Sequence, residues 1–178
     1  GLTAAATNGG NVQLSGDITL TGTLSINNKN LSIDLNGHTI TAANNQRAFN
    51  ISNGGTLEIK DSVGNGIIQG NGTVTGGAIY MEGSGSALTI SGGTIQGFTV
   101  SAHGGGVYMS GGTFKMTGGK IYNCSSSGTN LSGGGVYMAE GTFDMSGGSI
   151  ENCTAHEGAG VEVYPDPGKT CIFTMSGS

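Results

Sequence analysis

The chain repeats itself, and this internal repetition constrains its fold more than any other feature. One unit begins at Gly104 as Gly-Gly-Gly-Val-Tyr-Met, continues as Gly-Thr-Phe-Lys-Met and ends as Gly-Gly-Lys-Ile-Tyr-Asn-Cys at Cys124. A closely similar unit returns 29 positions later (137 − 108 and 153 − 124), between Gly133 and Cys153. Because a unit of this size cannot bury its own apolar side chains, such units are stable only when they stack on one another.

Each unit contains three short segments in which apolar and polar residues alternate, as in Val107-Tyr-Met109. This period of two sends successive side chains to opposite faces of a β-strand. Glycine contributes 37 of the 178 residues and is concentrated between the segments, where it favours corners. Three short strands per repeat, joined by glycine-rich corners, predict an all-β chain that folds as a right-handed parallel β-helix, a solenoid of stacked rungs.

The first apolar residue of the middle segment marks the rungs along the chain. It recurs at six positions, which we expect to form one inward column of about six rungs: Leu31, Leu57, Leu88, Phe114, Phe143 and Phe173. We therefore predict a single domain over residues 1–178. Within it, residues 9–75 form irregular N-terminal rungs and residues 76–178 form regular repeats of about 29 residues.

Residues 1–8 are predicted to be the remnant of an N-terminal cap. The segment Leu2-Thr-Ala-Ala-Ala-Thr7 favours a short helix, with Asn8 or Gly9 as its left-handed terminator. No similar cap follows residue 170, and an uncovered solenoid end leaves unpaired backbone groups at a sheet edge. We therefore expect this chain to be a piece of a longer protein that continues into further domains.

Charge and composition exclude several classes of partner. The net charge is −5 with six lysines and arginines, so we predict no nucleic-acid binding. The chain has no apolar run near the roughly 18 residues of a membrane span, so we predict no direct membrane insertion. The three cysteines have no metal-binding spacing, and Cys124 and Cys153, which share a column, are predicted to be free thiols. No cofactor is predicted.

One outward column contains tyrosine in three successive rungs: Tyr80, Tyr108 and Tyr137, with Asn50 before them and Glu162 after them. Neighbouring members of this column are expected about 4.8 Å apart. They can form an aromatic strip that contacts sugar rings or the side chains of a partner protein. The alternative is a cross-rung ladder that only stiffens the sheet.

No outward column predicts a catalytic site. A glycosidase needs two carboxyl groups about 5–10 Å apart. Glu58 and Asp144 share a column, but they are three rungs apart, about 14 Å, and Lys115 lies between them. The pairs Lys115–Asp144 and Asp34–Lys60 are predicted to be exposed ion pairs. Arg47 and the histidines fall in corner loops, and only His156, Glu157 and Asp166 are weak candidates for metal ligands.

Two sets of residues resemble known bacterial families. The N-terminal stretch, with Asn8-Gly-Gly-Asn-Val-Gln-Leu14 and Leu31-Ser-Ile-Asp-Leu-Asn-Gly-His-Thr-Ile40, resembles the opening of pectate-lyase-like β-helix proteins. The Gly-Gly-Gly-Val-Tyr-Met and Gly-Thr-Phe-x-Met-Ser-Gly-Gly units resemble repeats of bacterial surface proteins and adhesins. The resemblance implies a non-enzymatic structural or adhesive segment, extracellular at the cell surface or secreted, with a glycan or a host surface protein as partner. The alternative is part of a polysaccharide-active lyase or glycoside hydrolase whose catalytic residues lie elsewhere.

Overall fold

Eighteen strands and one short helix make up the part of the chain that the computed structural model describes, residues 1–177. The helix α1 spans Leu2–Asn8. The strands follow in this order: β1 Gly10–Gln13, β2 Ile18–Thr19, β3 Leu24–Asn27, β4 Asn30–Asp34, β5 Thr39–Thr41, β6 Phe49–Ser52, β7 Thr56–Lys60, β8 Ile67–Gln69, β9 Thr73–Val74, β10 Ile79–Glu82, β11 Ala87–Ile90, β12 Thr94–Gln96, β13 Thr99–Val100, β14 Val107–Tyr122, β15 Ser125–Ser126, β16 Val136–Glu151, β17 Val161–Val163 and β18 Cys171–Met175.

The strands form a parallel β-helix of about six turns, which confirms the predicted fold. Equivalent segments of successive rungs pair in parallel, and the six predicted inward residues fall in one register: Leu31, Leu57, Leu88, Phe114, Phe143 and Phe173. The phenylalanine rings stack at centroid distances of 4.3 and 5.0 Å. All six are buried except Phe173, which is 37% exposed because β18 has a neighbouring rung on one side only.

The corners differ from the sequence prediction in the two most regular rungs. Instead of three separate strands, each rung forms one continuous strand of 16 residues, β14 and β16. The pairing between them continues through both corners, with shifts of register on either side of Ser110 and of Thr117. Because the two repeats have glycines at nearly the same positions, their corners stack closely enough to hydrogen-bond, which makes each corner a β-bulge.

The N-terminal end of the stack is covered by α1, and Leu2 and Ala6 of this helix are buried against the core. The helix ends at Asn8, and the Gly9 N–H donates a hydrogen bond to the Ala5 carbonyl oxygen at 2.8 Å. Gly9 has φ 81° and ψ 163°, a positive-φ conformation that favours glycine but differs in ψ from the left-handed helical conformation expected. The described chain contains no helix that is long and apolar enough to span a membrane.

The two predicted ion pairs have the expected register but are not formed. Asp34 pairs with Lys60 along the ladder, yet its side chain is buried and accepts hydrogen bonds from the N–H groups of Asn36 (3.0 Å) and Ser62 (2.9 Å). Lys115 and Asp144 also face each other, but no salt bridge joins them in the described chain. Exposed pairs contribute little energy, whereas a backbone N–H is a fixed partner for a buried carboxylate.

Candidate binding site

An outward column of tyrosines lies on the face formed by β10, β14 and β16. Tyr80 pairs with Tyr108 and Tyr108 with Tyr137, in register along the parallel ladder. The ring centroids of Tyr80 and Tyr108 are 5.3 Å apart, and those of Tyr108 and Tyr137 are 5.2 Å apart. The structure therefore brings the three predicted residues together as one column, which we call the tyrosine ladder.

The ladder continues at both ends with polar residues. On the N-terminal side, Asn50 of β6 pairs with Tyr80, and Ser25 of β3 pairs with Asn50. On the C-terminal side, Glu162 of β17 pairs with Tyr137. The aromatic rings thus occupy the middle of a column whose ends are polar.

Stacking covers the faces of the tyrosine rings. The Arg47 guanidinium carbon lies 4.8 Å from the centre of the Tyr80 ring, a cation–π contact. His103 stacks on Tyr137 with 4.4 Å between ring centroids, and its Nδ1 accepts a hydrogen bond from the Ser132 N–H at 3.0 Å. Tyr108 has a neighbouring tyrosine ring on each side. What remains open to a ligand is therefore the ring edges and hydroxyl groups of the ladder.

Access decreases along the ladder. Tyr80 and Tyr108 are half-buried, whereas Tyr137 is only 6% exposed. The segment after β17 lies against the rung that contains Tyr137. The N–H groups of Tyr164 and Asp166 donate hydrogen bonds to the carbonyl oxygens of Met138 (3.0 Å) and Ala139 (2.9 Å) of this rung. The accessible part of the ladder is therefore Tyr80 and Tyr108, and not an open strip of three rings.

The surroundings raise the pKa of two phenol groups of the ladder, those of Tyr108 and Tyr137. Burial, together with the neighbouring Tyr108 phenol and Asp166 carboxylate, raises the pKa of Tyr137 to about 12. Burial also raises the pKa of Tyr108, again with a contribution from Asp166. Near neutral pH the phenols of Tyr108 and Tyr137 are therefore uncharged and can both donate and accept hydrogen bonds.

A groove of about 500 Å³ opens at the N-terminal end of the ladder, lined by Thr23, Ser25, Arg47, Asn50 and Tyr80. Arg47 is held there by a hydrogen bond from its Nη2 to the Thr75 carbonyl oxygen at 2.6 Å. The Asn50 side-chain oxygen Oδ1 is buried and has no hydrogen-bond partner among residues 1–177. The lining of the groove thus presents an aromatic ring and a cation.

A second groove, of about 430 Å³, lies between Thr113, Thr142 and Thr170. Its charged groups neutralise each other, because Lys169 Nζ lies 3.0 Å from Glu140 Oε2. It has a single carboxylate and therefore lacks the pair that a glycosidase uses. The register of β7, β11, β14 and β16 also places Thr89 and Lys115 between Glu58 and Asp144.

No group of three or more His, Cys, Asp or Glu side chains in the described chain is placed to hold a metal ion. His156, Glu157 and Asp166, the metal candidates of the sequence, do not form such a group. The three cysteines are free, with Cys124 buried and Cys153 and Cys171 half-buried.

Two residues of the tyrosine face, Arg47 and His103, were not assigned to it from the sequence. Both lie in corner loops, where a charged or polar side chain is ordinarily solvated. Arg47 comes three residues before Asn50 on the same rung. The only sequence signal that Arg47 belongs to this face is therefore its position, as the single arginine of the chain, close to the start of the aromatic column.

Comparison of the chain with family models, with curated proteins and with solved structures finds no match.

Proposed function

We propose that this chain is a rigid, non-enzymatic segment of a bacterial cell-surface or secreted protein, and that its tyrosine face binds carbohydrate. The repeated rungs support the structural part of this proposal, since a parallel stack with one continuous core gives a stiff rod. The accessible tyrosines support the adhesive part. Tyrosine and arginine are enriched where proteins bind partners, because they combine a large apolar area with hydrogen-bonding groups.

One observation carries the proposal: an aromatic column lies on the outside of a solenoid whose core is complete without it. The inward columns bury Met81, Met109 and Met138 next to these same tyrosines. The comparable outward column of another strand is mixed in character: Thr41, Gln69, Gln96, Tyr122 and Glu151. A ladder of three tyrosines is thus a local departure from an otherwise varied polar exterior.

The test is a glycan array probed with the wild-type chain and with Tyr80→Ala and Tyr108→Ala variants. Tyr122→Ala is the matched control, because Tyr122 is also an outward tyrosine of β14 but lies on another face. We expect the wild type and the control to bind the same glycans and the two ladder variants to lose at least tenfold in signal. Binding that is absent, or unchanged in both ladder variants while circular dichroism shows intact folds, contradicts the proposal.

The non-enzymatic part has a separate test. We expect no release of reducing ends and no unsaturated product when the chain is incubated with pectin, polygalacturonate or alginate. A commercial lyase serves as the positive control. Turnover that remains after repurification, and that is lost in a Glu140→Gln or Asp144→Asn variant, would show that the chain is a polysaccharide-active enzyme.

A further inference from the structure

We propose that Asn71, in the exposed corner between β8 and β9, is a site of spontaneous chemical modification, where the asparagine deamidates to aspartate and isoaspartate. Water is the co-reactant, and no enzyme takes part. This inference goes beyond the proposed carbohydrate binding and does not depend on it. It depends on the backbone conformation and the hydrogen bonding of the asparagine–glycine pairs of the chain.

Asparagine followed by glycine is the dipeptide most prone to deamidation, because glycine has no β-carbon to shield its amide nitrogen. Asparagine counts among the thermolabile residues of proteins. The chain contains five such pairs: Asn8-Gly9, Asn36-Gly37, Asn53-Gly54, Asn65-Gly66 and Asn71-Gly72. The dipeptide is the same in all five, so a difference in rate between them must come from the folded structure.

The reaction begins when the glycine nitrogen loses its proton to a base in water and attacks Cγ of the preceding asparagine. A bond forms between this nitrogen and Cγ, the bond from Cγ to Nδ2 breaks, and the side-chain amide leaves as ammonia. Water then opens the cyclic imide. Breaking the bond from the nitrogen to Cγ gives aspartate, and breaking the bond from the nitrogen to the main-chain carbonyl carbon gives isoaspartate. Nothing is oxidised or reduced.

Backbone conformation blocks this ring closure at three of the pairs. Asn36, Asn53 and Asn65 are left-handed, with φ of 50°, 51° and 66°. In that conformation ψ is about +47°, which turns the side chain to the opposite side of the Cα–C bond from the next nitrogen. Asn71 is not among the left-handed asparagines of the described chain. Asn8 is the last residue of α1, so its backbone is held by the helix.

Hydrogen bonding separates the pairs in the same way, because an N–H group that donates to an oxygen atom of the protein keeps its proton. Four of the five glycine N–H groups have such an acceptor: Gly9 donates to the Ala5 carbonyl oxygen (2.8 Å), Gly37 to Asp61 Oδ1 (2.8 Å), Gly54 to Ser86 Oγ (3.3 Å) and Gly66 to Asp61 Oδ2 (2.7 Å). The Gly72 N–H donates to no group among residues 1–177. Asn71 and Gly72 are both exposed, so water reaches the reacting atoms.

The main chain on each side of the reacting bond is fixed to the corner of the preceding rung. The Asn71 carbonyl oxygen accepts from the Asn45 N–H at 2.7 Å, and the Thr73 N–H donates to Asn45 Oδ1 at 3.1 Å. Isoaspartate adds a methylene group to the main chain between these two contacts, so we expect it to loosen this corner. Either product adds one negative charge to a chain whose net charge is −5.

The experiment compares the five pairs in the folded and in the unfolded chain. The protein is incubated in mildly alkaline buffer, with and without guanidinium chloride, and peptide mass spectrometry follows the conversion of each asparagine. In the folded chain we expect Asn71 to react at least tenfold faster than each of the other four. In the unfolded chain the five rates should be similar, because neither the left-handed conformations nor the hydrogen bonds persist.

Two variants assign the product. Ion-exchange chromatography of the folded wild type should show one acidic species that grows with time, and Asn71→Gln should remove it. Asn8→Gln is the matched control, because Asn8 is also exposed and also precedes a glycine, and it should leave the acidic species unchanged.

Three results would overturn the inference. One is a folded chain in which another asparagine–glycine pair reacts as fast as Asn71 or faster. The second is a folded chain that shows no modification of Asn71 while the unfolded chain reacts. The third is an acidic species that persists in Asn71→Gln.

Discussion

At the scale of single residues, the cysteine pair shows how stacking changes the chemistry of a side chain. Cys124 and Cys153 lie in adjacent rungs, joined by a hydrogen bond from the Thr154 N–H to the Cys124 carbonyl oxygen at 3.0 Å. The neighbouring Cys124 thiol lowers the pKa of Cys153 to about 7, whereas the Cys153 thiol and burial raise the pKa of Cys124. We therefore expect these two equivalent cysteines to differ in reactivity.

We predict that iodoacetamide alkylates Cys153 first. The thiolate is the reactive form, so the rate at Cys153 should rise through a midpoint near pH 7, while Cys124 reacts only after unfolding. Peptide mass spectrometry between pH 5 and 9 measures both rates. Cys171, whose pKa is raised by burial, is the internal control and should react at higher pH.

The Cys124→Ala variant tests whether the Cys124 thiol causes the lowered pKa of Cys153. Without the neighbouring thiol, the midpoint for Cys153 should move up toward that of an ordinary cysteine, about pH 8.5. An unchanged midpoint in this variant, or identical pH profiles for Cys153 and Cys171, would show that the neighbouring thiol has no influence.

At the scale of elements, the glycine triplets before β14 and β16 allow two rungs to approach closely. Gly105 donates its N–H to the Gly133 carbonyl oxygen at 2.9 Å, so the triplets pair along the backbone. A β-carbon at Gly134 would lie 2.6 Å from the carbonyl oxygens of Thr154 and Ala159. Glycine is required at this position because there is no space for a β-carbon, and not because the backbone has an unusual φ.

Gly134→Ala is therefore expected to lower the free energy of unfolding by about 1–3 kcal/mol, as overpacking of a rigid site does. The contacting atoms are backbone and have no alternative rotamer. Gly16→Ala is the matched control, because a β-carbon there meets no atom within 4 Å. Urea denaturation measures both variants. Equal stability of the two would mean that the corner has room to relax.

At the scale of the whole molecule, the two ends of the solenoid differ. The N-terminal end is covered by α1, whereas β17 and β18 each pair with β16 alone. Phe173 and Met175 of β18 are 37% and 72% exposed, whereas the equivalent residues Phe114 and Met116 of an inner rung are buried. In a repeat protein each rung is stabilised by its nearest neighbours, so stability should decrease toward the uncovered end.

Hydrogen exchange should reveal this gradient. We expect amides of β11 and of the middle of β14 to exchange slowest and those of β17 and β18 to exchange fastest, because strands with one neighbour open at lower free energy. Amides of β1 and β3 should stay protected, since α1 packs on both strands. Mass spectrometry of peptides measures the exchange, and uniform protection from β1 to β18 would show that the chain unfolds only as one cooperative unit.

The sequence by itself determined the solenoid and the membership of its columns. In a parallel stack each residue meets the residue one repeat away, so the spacing of Leu57, Leu88 and Phe114 is also their register in space. The same spacing predicts one outward column of Tyr80, Tyr108 and Tyr137, and the three residues are in register in the structure.

Only the tertiary structure decided what lies against those columns. The corner loops have no period, so nothing in the sequence located Arg47 on Tyr80, His103 on Tyr137, or the segment after β17 beside the last tyrosine. The burial of Asp34 was equally hidden, because alternation predicts the side of a strand but not the loop that covers it. Periodic hydrogen bonding fixes the register of the ladder, whereas access to its outer face depends on loops of irregular length.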